Sequence, residues 1–134
     1  MLTQFRAKGG LVAFDSNHRP RLWPDLATAQ RVVEQAWRVC DLGLPSLDDE
    51  MALFGDADAP QVQARLRSWG VAQGALKCGA LGPLALGQGW GADVTFAAAP
   101  SVVDTTAAGD SFNGGYLGAL ISGAPPLDAA RKGQ

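Results

Sequence analysis

The sequence predicts an α/β fold with a mostly parallel sheet that is covered by helices on both faces. Two observations carry this prediction. Short apolar runs bounded by polar or glycine residues read as buried strands, and they alternate with amphipathic stretches of helical period along the 134 residues. Strands separated by helices pair in parallel, because each connection returns the chain to the same end of the sheet. In such sheets, ligands bind beyond the carboxyl ends of the strands.

The composition is that of one globular domain over residues 1–134. Hydrophobic residues make up 47% of the chain, which is enough for a core, and charged residues make up 18%, which is too few for disorder. The formal charge of −2, without a cluster of Lys or Arg, argues against nucleic acid or an anionic membrane as a partner. Cys40 and Cys78 are isolated, and we find neither a secretion signal nor a membrane-spanning run, so we expect a cytoplasmic protein.

The first half of the chain is predicted to contain two strands and three helices. "GLVAFDSN" is a buried strand that ends in a polar loop, and "VCDLGLP" is the next strand. A helix begins after Pro24, and its apolar face carries Leu26, Ala29, Val33, Ala36 and Trp37. Ser46 and Asp49 have the spacing of a loose capping box before "EMALFG". Pro60 then opens a helix over "QVQARLRSWG" that stops at Gly70.

The second half is predicted to contain three strands and a long final helix. "GALKCG" and "PLALGQG" are strands separated by Gly79 and Gly82, and "ADVTFAA" is the third strand. "GQGWGA", residues 87–92, matches the G-x-G-x-x-A pattern of dinucleotide sites, but a strand-like segment follows it where such a site needs a helix. We therefore interpret "GQGWGA" as a hairpin turn. The final helix covers "DSFNGGYLGALISG".

Several common catalytic and binding motifs do not occur in the sequence. There is no P-loop, no HExxH pattern and no EF-hand loop. The lone His18 has no serine or cysteine partner at a recognisable spacing, so a nucleophilic triad is not supported. The chemistry must therefore be sought in a less common pattern.

The turn "DTTAAGD" before the final helix is the candidate ligand site. Asp104 and Asp110 flank Ala107, Ala108 and Gly109, whose small side chains let another molecule approach the backbone. The first N–H groups of a helix that begins here lack helical partners and attract an anion, such as a phosphoryl group. Asp110 would then accept the proton of an attacking hydroxyl, and an ordinary helix cap is the alternative.

The segment "DTTAAGDSFNGGYL" closely resembles the C-terminal signature of the ribokinase-like, or PfkB, sugar kinases, D-T-T-G-A-G-D-x-F-x-G-G. It departs from that signature only at Ala107, where Gly is usual. The resemblance implies a ribokinase-like three-layer α/β/α fold and the phosphorylation of a sugar-like alcohol with ATP and Mg²⁺. It also implies that Asp110 is the catalytic base. The backbone of Ala107, Ala108 and Gly109 would form the anion hole, the last two also contacting ATP.

Two further segments agree with that family. "KCGALG" resembles the family's G-x-x-G turn, which implies that Lys77, Gly79 and Gly82 lie against the nucleotide, although G-x-x-G alone is more often a plain turn. "SLDDEMALFG" resembles the N-x-x-E segment that acts on magnesium and phosphate through water, with Ser46 in place of Asn and Asp49 in place of Glu. Helix capping remains an equal alternative for these last two residues.

The resemblance also implies a monovalent cation site and a sugar acid site. Asp104 and Thr106 match positions that in some family members help bind a cation such as K⁺, and bracing the turn is their alternative role. "FDSNHRPRLW", residues 14–23, resembles the corresponding segment of the 2-keto-3-deoxygluconate kinases. Arg19 would then pair with the carboxylate of the sugar acid and Asn17 would shape the same loop, a solvated loop charge being the alternative. Fructokinase or another sugar kinase is the near alternative for the whole chain.

Family members carry an N-terminal half that supplies further strands, most sugar contacts and a small β lid. The resemblance therefore implies that residues 1–134 are a C-terminal nucleotide-binding and catalytic part, present without that half and without the lid. Two hypotheses stay open: an enzyme whose small-molecule partners are ATP and a sugar acid, and a non-catalytic nucleotide-binding fragment with an exposed sheet edge. A homo-oligomer of the full-length enzyme is compatible with either, because the sequence does not define the oligomeric state.

Overall fold

The computed structural model describes residues 2–91, 93–97 and 107–134. In this part of the chain the elements occur in the order α1 (Leu2–Ala7), β1 (Ala13–Phe14), α2 (Leu26–Trp37), β2 (Leu42–Gly43), α3 (Leu47–Phe54), α4 (Ala59–Ser68), β3 (Gln73–Lys77), β4 (Pro83–Gly87), α5 (Ala108–Ile121) and α6 (Pro126–Gly133). Two short 3₁₀ turns lie at Pro20–Leu22 and Gly79–Leu81. The predicted alternation of strands and helices is confirmed, and α1 and α6 are elements that the sequence patterns did not predict.

The four strands form one mixed sheet in the order β1-β2-β3-β4. The first three strands are parallel, and β4 runs antiparallel to β3 over five paired positions, which confirms the mostly parallel sheet. The reversal at β4 follows from the connection of residues 78–82, which is far shorter than the dozen or so residues that a parallel crossover needs. Gly79 and Gly82 both have positive φ, +56° and +80°, and so provide the left-handed backbone of this tight connection.

Helices cover both faces of the sheet, so the predicted three-layer α/β/α architecture is confirmed. Successive residues of β3 point to opposite sides, with Leu76 in one core and Ala75 in the other. The buried members of the first core come mainly from α2, α3, α4 and the strands: Val12, Ala29, Val33, Trp37, Cys40, Leu53, Val62, Leu66, Val71, Leu76 and Leu86. The buried members of the second core come mainly from α5 and α6: Leu44, Ala75, Phe112, Tyr116, Ala129 and Ala130.

The boundaries of α2 and α4 are set by aspartate caps. Asp25 accepts a hydrogen bond from the backbone N–H of Thr28 at 2.7 Å, and Asp58 accepts one from that of Gln61 at 2.9 Å. Helix α2 therefore begins after Pro24 as predicted. On its predicted apolar face Ala29, Val33 and Trp37 are buried and Ala36 is half-buried, whereas Leu26 in the first turn is 53% exposed.

The prediction of a third strand over "ADVTFAA" is wrong for the residues that the structure describes. Residues 93–97 form no strand and residues 88–91 form a loop after β4, so the described part of "GQGWGA" is not a hairpin turn between two strands. Phe96 packs edge-on against Trp90, with 6.0 Å between the ring centroids, and also lies over Gly82. Aromatic packing onto the sheet edge therefore replaces the backbone pairing that the alternating apolar pattern suggested.

The predicted capping box at Ser46 and Asp49 does not form. Ser46 is the N-cap of α3, but its side chain makes no capping hydrogen bond. The residue forms an isolated parallel bridge with Lys77 at the end of β3. The Asp49 carboxylate is instead used outside its own helix, since its Oδ2 accepts the backbone N–H of His18 at 3.2 Å.

A buried ionic network joins α3 to α4. Glu50 has no exposed surface, and its Oε2 lies 3.0 Å from Nη2 of Arg65. The Arg65 guanidinium also pairs with Asp56 and lies between the rings of Phe54 and Trp69, 4.1 and 4.7 Å from their centroids. These ion pairs and cation–π contacts offset the cost of removing the guanidinium from water on folding.

None of the helices in the described residues is long and apolar enough to span a bilayer.

The buried carboxyl of Glu50 predicts a pH-dependent stability. Burial raises the pKa of Glu50 above its ordinary value of 4.5, although the charge and the hydrogen bond of Arg65 oppose this. A carboxyl with a raised pKa binds its proton more tightly in the folded state. The free energy of unfolding therefore falls as the pH rises from the unfolded pKa to the folded pKa. We expect Glu50→Gln to flatten this decline in urea unfolding between about pH 4 and pH 7.

The matched control is Glu34→Gln. Glu34 lies on α2 and makes an exposed ion pair with Arg38, just after the helix. Exposed pairs contribute little to stability, so this variant should keep the slope of the parent. Parallel profiles for the Glu50→Gln variant and the parent would show that Glu50 does not titrate differently in the folded protein.

Candidate functional site

The carboxyl ends of β1, β2 and β3 meet at one edge of the sheet. Asp15 directly follows β1, and Lys77 is the last residue of β3. The backbone N–H of Lys77 donates to the carbonyl oxygen of Pro45, just beyond β2, at 2.8 Å. This edge is where open α/β sheets bind their ligands, and it is the edge that the sequence predicted.

Three polar side chains form a hydrogen-bonded cluster at this edge, which we call the carboxyl-edge cluster: Asp15, Lys77 and Asn113. Nζ of Lys77 lies 2.5 Å from Oδ2 of Asp15 and 3.1 Å from Oδ1 of Asn113. Nδ2 of Asn113 donates to the same Asp15 oxygen at 2.8 Å. The Lys77 and Asp15 side chains are only 10% and 18% exposed, so solvent screens this ion pair weakly. The cluster joins β1, β3 and α5.

The N-terminus of α5 lies beside the ammonium group of Lys77. The first helical hydrogen bond runs from the N–H of Ser111 to the carbonyl of Ala107, so the N–H groups of residues 108–110 have no carbonyl partner within their own helix. A Cβ placed on Gly109 would lie 3.4 Å from Nζ of Lys77. N–H groups without a partner in their own helix, the positive end of the helix dipole and an ammonium thus come together, and this arrangement attracts an anion.

Ala107 enters the helix in a left-handed conformation, with φ +58° and ψ +15°. This conformation costs a non-glycine residue roughly 1–2 kcal/mol, which explains why a glycine suits this position. Asp110 occupies the first turn of α5 and is exposed at the surface. The helix dipole stabilises its carboxylate there. Asp110 therefore lies next to the candidate anion site with its side chain open to a ligand.

The loop after β1 is held at two points. Oδ1 of Asp15 accepts the backbone N–H of Asn17 at 3.1 Å, and Asn17 itself has a positive φ of +38°. Asp49 on α3 accepts the N–H of the buried His18. The side chain of Arg19 is exposed, and its Nη1 lies 3.4 Å from the carbonyl oxygen of His18. The loop is thus anchored to the sheet edge while its guanidinium remains open to solvent.

The donor set around Asp49 suits a water-mediated contact with a metal ion better than a cage of protein ligands. One oxygen of Asp49 is engaged by the backbone of His18. Among the residues that the structure describes, no three His, Cys, Asp or Glu side chains gather in a possible metal-binding group. Carboxylate oxygens are suitable partners for the water shell of Mg²⁺, which the ion gives up reluctantly. Asp104 and Thr106, the predicted monovalent cation ligands, lie outside the described residues.

The two glycines of the predicted nucleotide turn have different surroundings. A Cβ on Gly79 would meet nothing within 4 Å, so this position faces open space. A Cβ on Gly82 would lie only 2.8 Å from the Cβ of Phe96. Packing alone thus requires a glycine at position 82, whereas Gly79 leaves room for a ligand next to the backbone.

The structure brings together Lys77, Ala108 and Gly109, three of the residues that the sequence predicted for the site. Asp15 and Asn113, which complete the cluster, were not predicted as site residues. The signal for Asp15 was present in the sequence, because it ends one parallel strand while a lysine of opposite charge ends another. The signal for Asn113 was weaker, since its contact depends on how α5 is placed over the sheet.

Comparison with known proteins supports this description of the fold. The family model of the pfkB family carbohydrate kinases matches residues 1–134. The chain is 42% identical to the 2-dehydro-3-deoxygluconokinase of Escherichia coli (strain K12) over 136 aligned positions, which cover 99% of this chain and 44% of that protein. It is 38% identical to the protein of the same name from Dickeya dadantii (strain 3937), again covering 99% of this chain and 44% of the relative.

A similar solved structure is the fructokinase of Vibrio cholerae O395 in its fructose, ADP and calcium ion bound form. The TM-score is 0.87 at 26% identity, and the match covers 98% of this chain and 44% of that one. This similarity confirms the ribokinase-like architecture. The chain spans less than half the length of the relatives that it matches.

Proposed function

Because the chain belongs to the pfkB family of carbohydrate kinases, we propose that it supplies the phosphate-binding and catalytic part of an ATP-dependent sugar kinase. The proposed substrate is 2-keto-3-deoxygluconate, also called 2-dehydro-3-deoxygluconate, and the product is its 6-phosphate. The single observation that carries the proposal is the juxtaposition of the Lys77 ammonium with the first turn of α5. A transferring phosphoryl group requires concentrated positive charge of this kind.

The anion hole of the proposed reaction is the backbone of Ala107, Ala108 and Gly109. The first N–H groups of α5 would bind the phosphoryl oxygens, on which negative charge increases in the transition state. Lys77 would contribute its ammonium from the adjacent strand end. Gly79 faces open space in the turn after β3 and would let the nucleotide lie against the backbone, with Gly82 shaping the same turn.

Asp110 is the proposed general base. Its carboxylate is exposed at the mouth of the anion site, where a sugar hydroxyl can approach it. A loose phosphoryl transition state needs little nucleophilic activation, so a weakly basic carboxylate in the correct position is sufficient. Asp110 would take the hydroxyl proton as the oxygen attacks phosphorus.

Arg19 and Asn17 are proposed to bind the sugar acid. The Arg19 guanidinium is exposed on a loop that Asp15 and Asp49 anchor, so it can meet a carboxylate without disturbing the core. A guanidinium matches a carboxylate through two parallel hydrogen bonds. The relatives named 2-dehydro-3-deoxygluconokinase favour this acid over fructose, which lacks a carboxylate.

Magnesium would enter with ATP and neutralise charge on the transferring phosphates. Asp49 is proposed to act on it through water, from the first turn of α3. Asp104 and Thr106 remain proposed ligands of a monovalent cation such as K⁺. The proposed site of action is the cytoplasm.

The first test concerns Asp110 in the longest natural polypeptide that carries this sequence. We expect Asp110→Asn to lower kcat by at least about 10²-fold, which is typical of a lost general base, because the amide cannot accept the hydroxyl proton. The affinity for a non-hydrolysable Mg-ATP analogue should stay nearly unchanged in calorimetry. Asp128→Asn is the matched control, since Asp128 is an exposed acid on α6. A kcat within a few-fold of the parent would remove Asp110 from the catalytic role.

The second test concerns the choice of substrate by Arg19. A charge-assisted pair with the carboxylate of the sugar acid contributes roughly 1.5–3 kcal/mol, so Arg19→Ala should raise the KM of that substrate by about 10- to 100-fold. The KM of ATP, and any activity towards fructose, should change little. Arg21→Ala is the control, because Arg21 is the next exposed arginine in the chain. Equal increases in KM for the acid and for ATP would show that Arg19 only supports the fold.

A further inference from the structure

The carboxylate of Asp15 uses its two oxygens for two different segments of the site. Oδ1 accepts the backbone N–H of Asn17 and so fixes the turn that carries Arg19. Oδ2 accepts hydrogen bonds from the Lys77 ammonium and from the Asn113 amide. One side chain therefore connects the loop proposed for the sugar acid with the lysine proposed for the phosphates.

We propose that Asp15 is a positioning residue of the phosphoryl-transfer site, which holds the Lys77 ammonium at the first turn of α5 and at the same time fixes the sugar-acid loop. This inference rests on the proposed function. Asp15 contacts neither substrate in this scheme and acts through Lys77 and through the loop.

The geometry of the lysine explains why such a residue is needed. The ammonium of Lys77 has three N–H donors. Asp15 and Asn113 receive two of them, so the orientation of the group is fixed, and the described residues leave its third donor for a ligand. A free lysine would have to give up the entropy of its four-carbon chain to reach the same position during each reaction cycle. Asp15 and Asn113 remove that cost before the phosphate arrives.

The charge of Asp15 weakens the attraction between the Lys77 ammonium and ATP in the ground state. This opposing contribution makes the proposal testable. The negative charge of Asp15 partly neutralises the ammonium and repels the ATP anion. Removing the charge should therefore leave the KM of ATP unchanged or lower it. The rate of transfer should fall nonetheless, because the ammonium is no longer placed for the transition state. A variant with a merely damaged fold would instead bind ATP less well.

The experiment compares Asp15→Asn with the parent in the longest natural polypeptide that carries this sequence. Asparagine keeps an oxygen for the N–H of Asn17, but it replaces the charged oxygen that accepts from Lys77 and Asn113 with an NH₂ group, which cannot accept a hydrogen bond. We expect kcat to fall at least about tenfold while the KM of ATP does not rise. The KM of the sugar acid should stay within about two-fold of the parent, whereas Asp15→Ala, which also frees the loop, should raise it.

A double-mutant cycle shows whether Asp15 acts through the lysine. In a Lys77→Met background the same Asp15→Asn change should lower kcat by less than about two-fold, because the group that it positions is absent. An undiminished effect in that background, or an unchanged kcat in the single variant, would overturn the proposal. Asp128→Asn again serves as the control for removing an acid.

A magnetic resonance measurement keeps the inference separate from the proposed function. The two ε-protons of a lysine held in one orientation give separate signals, whereas those of a freely rotating lysine merge. We expect separate signals for Lys77 in the parent and a merged signal in Asp15→Asn, assigned by their loss in Lys77→Met. If the parent phosphorylates no sugar but shows this pattern, the proposed function fails and the positioning of Lys77 by Asp15 stands. A merged signal in the parent overturns the positioning itself.

Discussion

The ion pair between Asp15 and Lys77 is the interaction on which the site depends. It spans the ends of two strands that are not neighbours, because β2 lies between β1 and β3. Strands that are two positions apart lie roughly 9–10 Å from each other, a distance that a long lysine side chain and a short aspartate can bridge together. Asn113 connects α5 to the same ion pair. The loop after β1, the turn after β3 and the first turn of α5 are thus held in one arrangement by three side chains.

The sheet topology provides the positions that this arrangement requires. Parallel pairing of the first three strands places their carboxyl ends at one edge, and the short connection after Lys77 turns the chain back into β4. The close packing of α5 against α6 sets the height of α5 over that edge. A Cβ on Gly115 would come within 2.6 Å of the carbonyl oxygen of Lys132, so a larger side chain would push the two helices apart. Gly115 in "FNGGYL" therefore serves packing, whereas a Cβ on Gly114 would meet nothing within 4 Å, and the small residues before Asp110 leave the helix end open.

The sequence was informative where a local pattern corresponds to one structure. Pro24 and the apolar period located α2, Pro60 and Gly70 located α4, and the Gly/Ala turn identified the start of α5. It was misleading at "ADVTFAA", because alternation predicts an apolar face but not whether that face pairs or packs. Ser46 and Asp49 had the spacing of a capping box, yet each found a partner from a distant segment. Such long-range contacts, like the one made by Asn113, depend on tertiary placement that no local window contains.

In the proposed reaction the phosphoryl group is held between the Lys77 ammonium and the first N–H groups of α5. The most direct test is a crystal structure of the longest natural polypeptide that carries this sequence, with Mg²⁺ and a non-hydrolysable ATP analogue. We predict oxygens of the terminal phosphate within about 3 Å of Nζ of Lys77 and of a backbone nitrogen in the first turn of α5. A nucleotide whose phosphates lie away from both groups would contradict the account.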